Sequence, residues 1–438
     1  MGHVYARAVC TISATASRNS DGGLFFNRNS EVVIPRLIQS NFNPNASWLH
    51  GKVDGFCMAG QYLCDMERLT EKCIEGAPLN TRAWVSQERQ LSRRIMHFTE
   101  KQLFWECYSG NACETYPQWI PSRAMSFWSS DPTLLKMRLH EKRHRVAANT
   151  GTNSPSCISR PGIDYDLYFS WCCFRIKYSQ CELSRDSDKL VALRGIAQEV
   201  GQAVGDELIA GLWRSRMIQD LCWFKRLFRD GETPAVEPTK WRAPTWSWAN
   251  SNAKIWVSNL TKFHGEHPGL CPAADMIDLD VQSKESGELE HACIRIKCRP
   301  MHATLTPRPG SDYDNYSVEG SLDIDLDGIE TLMTGIVNGW NGNLSFDMDK
   351  LNVCEPQCVY VVVVLECLHD DTTDEKGAGV EELGDENLDH LEGLFLRPHR
   401  KSPDVFKRVG YFLFKGSRAV RQILKALRNV EEKVITLI

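Results

Sequence analysis

The sequence predicts a mixed α+β and α/β chain of two or three domains, with a helical middle block and a β-rich C-terminal region that finishes in a helix. Three observations carry this. A chain of 438 residues is longer than one ordinary hydrophobic core organises. Through the middle, apolar residues recur at helical spacing, as at Trp171, Phe174 and Tyr178. From about residue 290 they alternate at the two-residue period of strands, as at Ile294, Ile296 and Cys298.

In chain order, Val4-Tyr5-Ala6-Arg7-Ala8 reads as the end of a helix that runs at once into a β-rich segment, 9–14, and then a turn at Asp21-Gly22-Gly23. A helix end cannot bury its face alone, so the chain reads as cut on its N-terminal side. Residues 81–91 have helical spacing, with Trp84, Glu88 and Leu91 at i, i+4 and i+7. Residues 94–98 and 103–107 flank the polar turn Thr99-Glu100-Lys101-Gln102 in a hairpin pattern. The basic run 136–145 and the Ser, Thr, Asn, Pro and Gly-rich stretch 148–162 read together as a mobile connection. Asp186-Ser187-Asp188 then offers N-cap oxygens to a helix with Leu190, Leu193, Ala197 and Val200 on its apolar side. A second helix carries Ile218, Leu221 and Cys222, with Trp213 just before it. Residues 242–248 read as an alternating strand with Trp246 and Trp248 on one side.

In the C-terminal region Leu322, Ile324 and Leu326 alternate with Asp323 and Asp325, and 359–365 is an apolar central strand. Residues 366–392 hold eleven acidic groups against Lys376, a net of −10, while 397–438 hold eleven basic groups against three acidic ones, a net of +8. Opposite charges of that size favour an acidic loop lying near the basic tail, screened at physiological salt. Val420, Ile423, Leu427, Val430 and Val434 line one side of a terminal amphipathic helix, either docked on the domain or open to a partner.

Composition removes several classes of function. Lys+Arg 51 against Asp+Glu 56 leaves −5, which argues against a chain built to neutralise phosphates. The longest apolar run, 359–365, is far below the roughly 18 residues of a membrane span. The start has no signal-peptide pattern, so a soluble, cytoplasmic protein is expected. The 17 cysteines are irregularly spaced with no C-x-x-C, and read as reduced packing residues rather than disulfides or metal ligands. In that setting the sequons at Asn45, Asn259, Asn315 and Asn343 are chance matches. Asp323-x-Asp325-x-Asp327-Gly328 opens like a calcium loop, but Thr334 stands where the bidentate Glu belongs. No dinucleotide fingerprint, phosphate-cradling loop or nucleophile elbow is present, so no cofactor or metal is expected. The 13 tryptophans fall in separate elements at core-like periods, which favours packing over nucleic-acid stacking.

Glu88 is the carboxylate best placed for chemistry. Burial beside Trp84 and Leu91 would raise its pKa and prepare a general acid or base. The alternative is a structural carboxylate paired with Arg89, Arg93 or Arg94, or one capping a backbone amide. His97, on a hairpin strand, reads as a satisfied half-buried histidine.

Trp84-x-x-Gln87-Glu88-x-x-Leu91, the Ile95-Met96-His97-Phe98 strand and the closing Trp105-Glu106-Cys107 together resemble the signature of fungal heterokaryon-incompatibility (HET) domain proteins. Residues 1–14 resemble that family's M-x-x-V-Y-x-x-A-x-x-T-I-x-A block, and Gly23-Leu24-Phe25-Phe26-Asn27-Arg28 its G-L-F-x-x-R. Downstream, the Asp188-to-Ala197 segment, Ala210-Gly211-Leu212-Trp213, Pro244-Thr245-Trp246-Ser247-Trp248-Ala249 and Gly393-Leu394-Phe395-Leu396-Arg397-Pro398 are also similar to it. The family's Y-x-x-L-S-Y-x-W-G and D-x-x-C-I-x-Q blocks are not in this chain.

The resemblance implies a truncated, TIR-like α/β domain remnant at 1–89, a hairpin and helical block at 90–250, and a β-rich accessory region at 251–438. It implies fungal non-self recognition, an interaction and signalling role in growth arrest or cell death. The partners would be other proteins of the incompatibility system, or a second copy in a homo-oligomer, with no nucleic acid, membrane span or cofactor. Trp84, Gln87, Glu88, Leu91, Trp105, Glu106 and Cys107 are the motif positions. The rival expectations are an NAD-cleaving TIR-like hydrolase with Glu88 as acid or base, suggested by fold analogy alone, and an inert truncated regulatory paralogue.

Overall fold

In the computed structural model, which describes residues 2–29, 33, 36–37, 62–63, 70–120, 133–149, 165–225, 238–257, 270–307, 320–326, 333–337, 344–346, 357–367, 389–400, 402–415 and 417–438, the chain divides into two units, Met1–His140 and Glu141–Ile438.

The first unit opens with α1 (Gly2–Arg7) and β1 (Thr11–Ser13), followed by the short antiparallel pair β2 (Arg36–Leu37) and β3 (Tyr62–Leu63). Next come α2 (Ala83–Leu91), β4 (Arg94–Phe98), β5 (Leu103–Cys107) and β6 (Gly110–Cys113), and α3 (Thr133–Asn149) begins. The sheet order is β1-β4-β5-β6, with β1 parallel to β4 and the other pairs antiparallel. The hairpin forms where its pattern predicts. Thr99 closes the turn by donating its hydroxyl to the Gln102 carbonyl at 2.6 Å. Cys73, Ile74, Phe104, Cys113 and Ile120 form a small apolar core.

Two expectations change here. On α2 the buried side chains are Ala83, Val85, Arg89, Gln90 and Leu91, while Trp84 and Glu88 are only half-buried. The basic run 136–145 is not a connection but part of α3, and Lys136 is buried because a carboxylate inside the unit takes its ammonium. Residues 150–164, most of the expected mobile stretch, lie outside the described residues.

The second unit starts with α4 (Tyr165–Ser179), where Trp171, Phe174 and Tyr178 are buried and successive rings lie 5.7 and 5.9 Å apart. The helix expected after Asp186 comes in two pieces, α5 (Asp188–Val191) and α6 (Arg194–Val204). Ser187 has helical backbone angles, φ −61° and ψ −24°, and makes no cap with its side chain. α6 ends at Gly205, whose φ of +71° closes the helix in the left-handed conformation that glycine favours. β7 (Leu208–Ile209) and β8 (Leu212–Trp213) form a tight pair, and α7 (Met217–Asp220) is a single turn rather than the longer helix expected. Leu221 and Cys222 lead directly into β9 (Trp223–Lys225), which pairs with β10 (Ile255–Val257).

Residues 242–248 are not a strand. The Ser247 N–H bonds the Pro244 carbonyl, and Ser247 caps a short 3₁₀ turn by accepting from the Ala249 N–H. Each indole there answers a carbonyl on a different element: Trp246 donates to Leu437 at 3.1 Å, and Trp248 to Gly211 at 2.8 Å. Satisfying both buried N–H groups bends the segment out of the extended form.

The remaining strands are β11 (Leu270–Pro272), β12 (Asp275–Ser283), β13 (Leu289–Cys298), β14 (Met301–Pro307), β15 (Gly320–Leu326), β16 (Met333–Val337), β17 (Leu344–Phe346), β18 (Gln357–Cys367), β19 (His390–His399), β20 (Ser402–Lys415) and, after helix α8 (Ser417–Leu427), β21 (Lys433–Leu437). The pairings β18-β14-β15-β16-β17-β20-β19-β18 close on themselves. β21, β13 and β12 extend in that order from β20. Asp323 in β15 stands opposite Thr334 in β16, so the calcium-loop frame falls on paired strands.

The helix α8 contributes Val420, Ile423 and Leu427 to a core with Leu305, Val361, Phe395 and Phe412. It stops at Leu427, and the chain ends in a strand rather than the expected helix. The β-branched run Val434-Ile435-Thr436 alternates, with Ile435 and Leu437 buried and Val434 exposed. Of the acidic segment 366–392, residues 368–388 lie outside the described residues; Asp389 pairs with Arg421 of the basic tail at 3.1 Å.

Candidate functional site

The strand β5 alternates half-buried Leu103, Trp105 and Cys107 with buried Phe104 and Glu106. A carboxylate on the buried phase of a strand must be answered inside the protein, because leaving it alone in a low dielectric is costly. Three side chains from three elements do so directly, and Glu75 and Thr15 join at one remove.

Glu106 Oε2 accepts from Arg89 Nε on α2 at 2.7 Å and from His97 Nε2 on β4 at 3.2 Å. Its Oε1 accepts from Lys136 Nζ on α3 at 2.6 Å. Arg89 also donates through Nη1 to Glu75 Oε1 at 2.7 Å. With Nε2 of His97 donating to the carboxylate, Nδ1 accepts from the Thr15 hydroxyl at 2.9 Å, and Thr15 in turn accepts from Ser13 Oγ at 2.9 Å. The chain Ser13, Thr15, His97, Glu106 is thus a relay of hydrogen bonds leading to one carboxylate.

The electrostatics follow from this geometry. Burial pushes the Glu106 carboxyl up, but Arg89 and Lys136, with the His97 bond, outweigh it and hold the group well below the ordinary carboxylate range. Burial lowers His97, and Arg89 and Lys136 lower it further against the pull of Glu106, so the imidazole is neutral. Burial likewise lowers Lys136, opposed by Glu106. Two carboxylates face two cations, and the five side chains from Glu75 to Lys136 are each at least nine-tenths buried.

A hydroxyl on imidazole on carboxylate is the layout of a nucleophile, a base and an orienting group. Here Thr15 and His97 have no exposure at all, and Glu106 already serves two cations. The arrangement ties together β1, α2, the hairpin and α3 as a charge-balanced clamp.

The motif residues read from the sequence divide between this clamp and its outer face. Glu106 is the clamp's centre, and Leu91 is buried at the end of α2. Trp84, Gln87, Glu88, Trp105 and Cys107 are half-buried. Glu88 takes a hydrogen bond from the Tyr5 hydroxyl, which burial, together with that carboxylate, pushes above its ordinary value. On the same helix pair, a Cβ at Gly2 would meet Leu91 at 3.1 Å and Gln87 at 3.3 Å, so α1 sits close against α2. The M-x-x-V-Y block therefore docks on the W-x-x-Q-E block. Ser13, Thr15, Glu75 and Lys136 were not singled out by sequence reasoning, and Arg89, expected as a partner for Glu88, pairs with Glu75 and Glu106. The available signal was charge on a buried strand phase, His97 and Glu106 both falling where Ile95 and Phe104 fall.

Residues 1–88 match the family model described as Heterokaryon incompatibility protein (HET), so the chain carries a HET domain near its N-terminus. No curated protein and no solved structure matches the chain.

Proposed function

We propose that this HET-domain chain is a signalling protein of fungal non-self recognition, acting through protein contacts, with growth arrest or cell death as its output. Its partners are other proteins of the incompatibility system or a second copy of the chain, and its place is the cytoplasm. A TIR-like parent fold for the HET domain belongs to the same reading. The observation that carries it is the family match at residues 1–88.

The geometry favours contact over catalysis in this domain. Its buried carboxylate is enclosed by cations, and Glu88 is engaged by Tyr5. Of the eight large apolar side chains exposed among the described residues, four fall early in the chain: Val4, Val9, Ile12 and Phe25. Ile12 lies on β1, which ends the strand order of its sheet among the described residues. Edge strands with exposed apolar groups suit association with another chain.

The test is induced expression of the intact chain in a filamentous fungus, followed by growth and viability. Arrest by the wild type, relieved by Ile12→Asp with the same melting temperature and accumulation, supports the proposal. Unimpeded growth with the protein accumulated to the same level overturns it.

A further inference from the structure

The hairpin of β12 and β13 carries a second cluster of chemistry-bearing side chains. Between two register irregularities, at Met276/Asp278 and Gln282/Ser283, the ladder is regular and sets Asp280 opposite Cys293 and Gln282 opposite His291. Directly opposed residues of an antiparallel pair have Cβ atoms about 4.5–5.5 Å apart, and residues two apart on one strand share a face. Asp280, His291 and Cys293 therefore project from one side of the hairpin. The opposite phase of β13, Ala292, Ile294 and Ile296, is buried, so this side is the one turned to solvent.

The ligand atoms of the three lie within 4.8 Å of one another, and His291 Nε2 is 3.7 Å from Asp280 Oδ2. Bond lengths of about 2.0–2.3 Å put the ligands of a tetrahedral zinc about 3.3–3.7 Å apart, so small rotations about χ angles close the remaining gap. A carboxylate, an imidazole and a thiolate make the mixed O, N, S donor set that suits zinc among divalent ions; calcium and magnesium prefer oxygen alone. The Asp280 backbone N–H bonds the Cys293 sulfur, which favours the thiolate, while burial and the Asp280 carboxylate push the thiol up. A dication removes that opposition, since Asp280 becomes a fellow ligand.

We propose that Asp280, His291 and Cys293 form a three-ligand site for a divalent transition metal of the zinc type, with solvent in the fourth position. The metal joins β12, the last strand of its sheet among the described residues, to β13 through side chains and holds the hairpin register between its two irregularities. Asp278 and Arg295, the next opposed pair on the same face, flank the site and offset each other's charge.

The probe is cobalt(II) titrated into the reduced, intact chain. The expected result is a near-ultraviolet sulfur-to-cobalt charge-transfer band with visible bands of tetrahedral intensity, both erased by zinc. Cys293→Ser removes the charge-transfer band and His291→Ala weakens the visible ones, each with the melting temperature of the metal-free wild type. Cys358→Ser, at another exposed cysteine, leaves both unchanged. Absence of the band in the wild type, its survival in Cys293→Ser, or its loss in Cys358→Ser overturns the proposal.

Discussion

Glu106 in the first unit and Asp220 in the second are both buried to about 1% exposure, and the two carboxylates are answered in different ways. Asp220 Oδ1 accepts from the Tyr168 hydroxyl at 2.7 Å and from Arg175 at 2.9 Å, and Oδ2 accepts from the Trp213 backbone N–H at 2.9 Å. One cation and two neutral donors satisfy it, inside a wall that includes the Trp171–Trp213 pair at 5.0 Å. Glu106 instead draws on two cations and an imidazole, and one of those cations is shared with Glu75. A buried charge answered mostly by neutral donors can lose one at modest cost. A network balanced charge against charge cannot lose its hub without stranding the rest.

The largest effect is therefore expected at that hub. Glu106→Ala takes from the buried Arg89 one of its two carboxylates and from the buried Lys136 its carboxylate, a loss of about 3–5 kcal/mol. Hydrogen exchange on the intact chain checks it: protection should fall across residues 83–113 while peptides around 165–179 keep theirs. Equal loss in both regions would mean that the clamp is not local to the first unit.

Acid is the second way to break the comparison, and its sign follows from two shifts. His97 titrates below its ordinary 6.5, so as pH falls through that value the unfolded chain takes a proton that the folded one refuses. Glu106 lies well below its ordinary 4.5, so the unfolded chain is again protonated first. Both contributions are present above the ordinary values and lost on the acid side. Stability of the first unit should decline from about pH 6.5 and more steeply below 4.5, as read by hydrogen exchange over residues 94–107. A flat profile between pH 7 and 4 would contradict the buried neutral histidine.

Tyr168→Phe is the smaller counterpart in the second unit. It removes a neutral donor from Asp220 and leaves Arg175 and Trp213 in place, for a cost of about 1 kcal/mol in a denaturant melt. A loss as large as that of Glu106→Ala would remove the distinction between the two networks.

The same contrast explains what was legible in the sequence. The helix 81–91, the hairpin with its Thr99–Gln102 turn and the aromatic face of α4 are local patterns, and local patterns fix periodicity. The bend at 242–248 was not legible, because carbonyls far along the chain, on Leu437 and Gly211, decide where Trp246 and Trp248 turn their indoles. Val434 shared a helical stripe with Val420 and Ile423, and pairing with β13 on one side and β20 on the other makes its segment a strand. Glu106 was recognised as part of a motif but not as a hub, since Lys136 comes 30 positions later in a run that reads as a solvated basic stretch. Non-local charge pairing leaves almost no trace in a single sequence beyond a polar residue on a buried phase.

The sharpest test is Lys136→Met, which keeps the stem's bulk and removes the ammonium. Glu106 retains Arg89 and His97, but Oε1 loses the Lys136 donor and two buried carboxylates then face one cation, so a loss of about 3 kcal/mol, the low end for a broken buried pair, is expected. The effect should also appear in His97. Lys136 is one of the two cations that hold the imidazole down, so its removal moves the His97 pKa upward. The His97 ring resonance, identified by its loss in His97→Gln, should titrate at higher pH in the variant. The acid decline near pH 6.5 should become shallower, because the folded chain now accepts the proton that it used to refuse. An unmoved resonance would mean that Lys136 does not act on the imidazole, and the network would then be two separate ion pairs sharing one carboxylate.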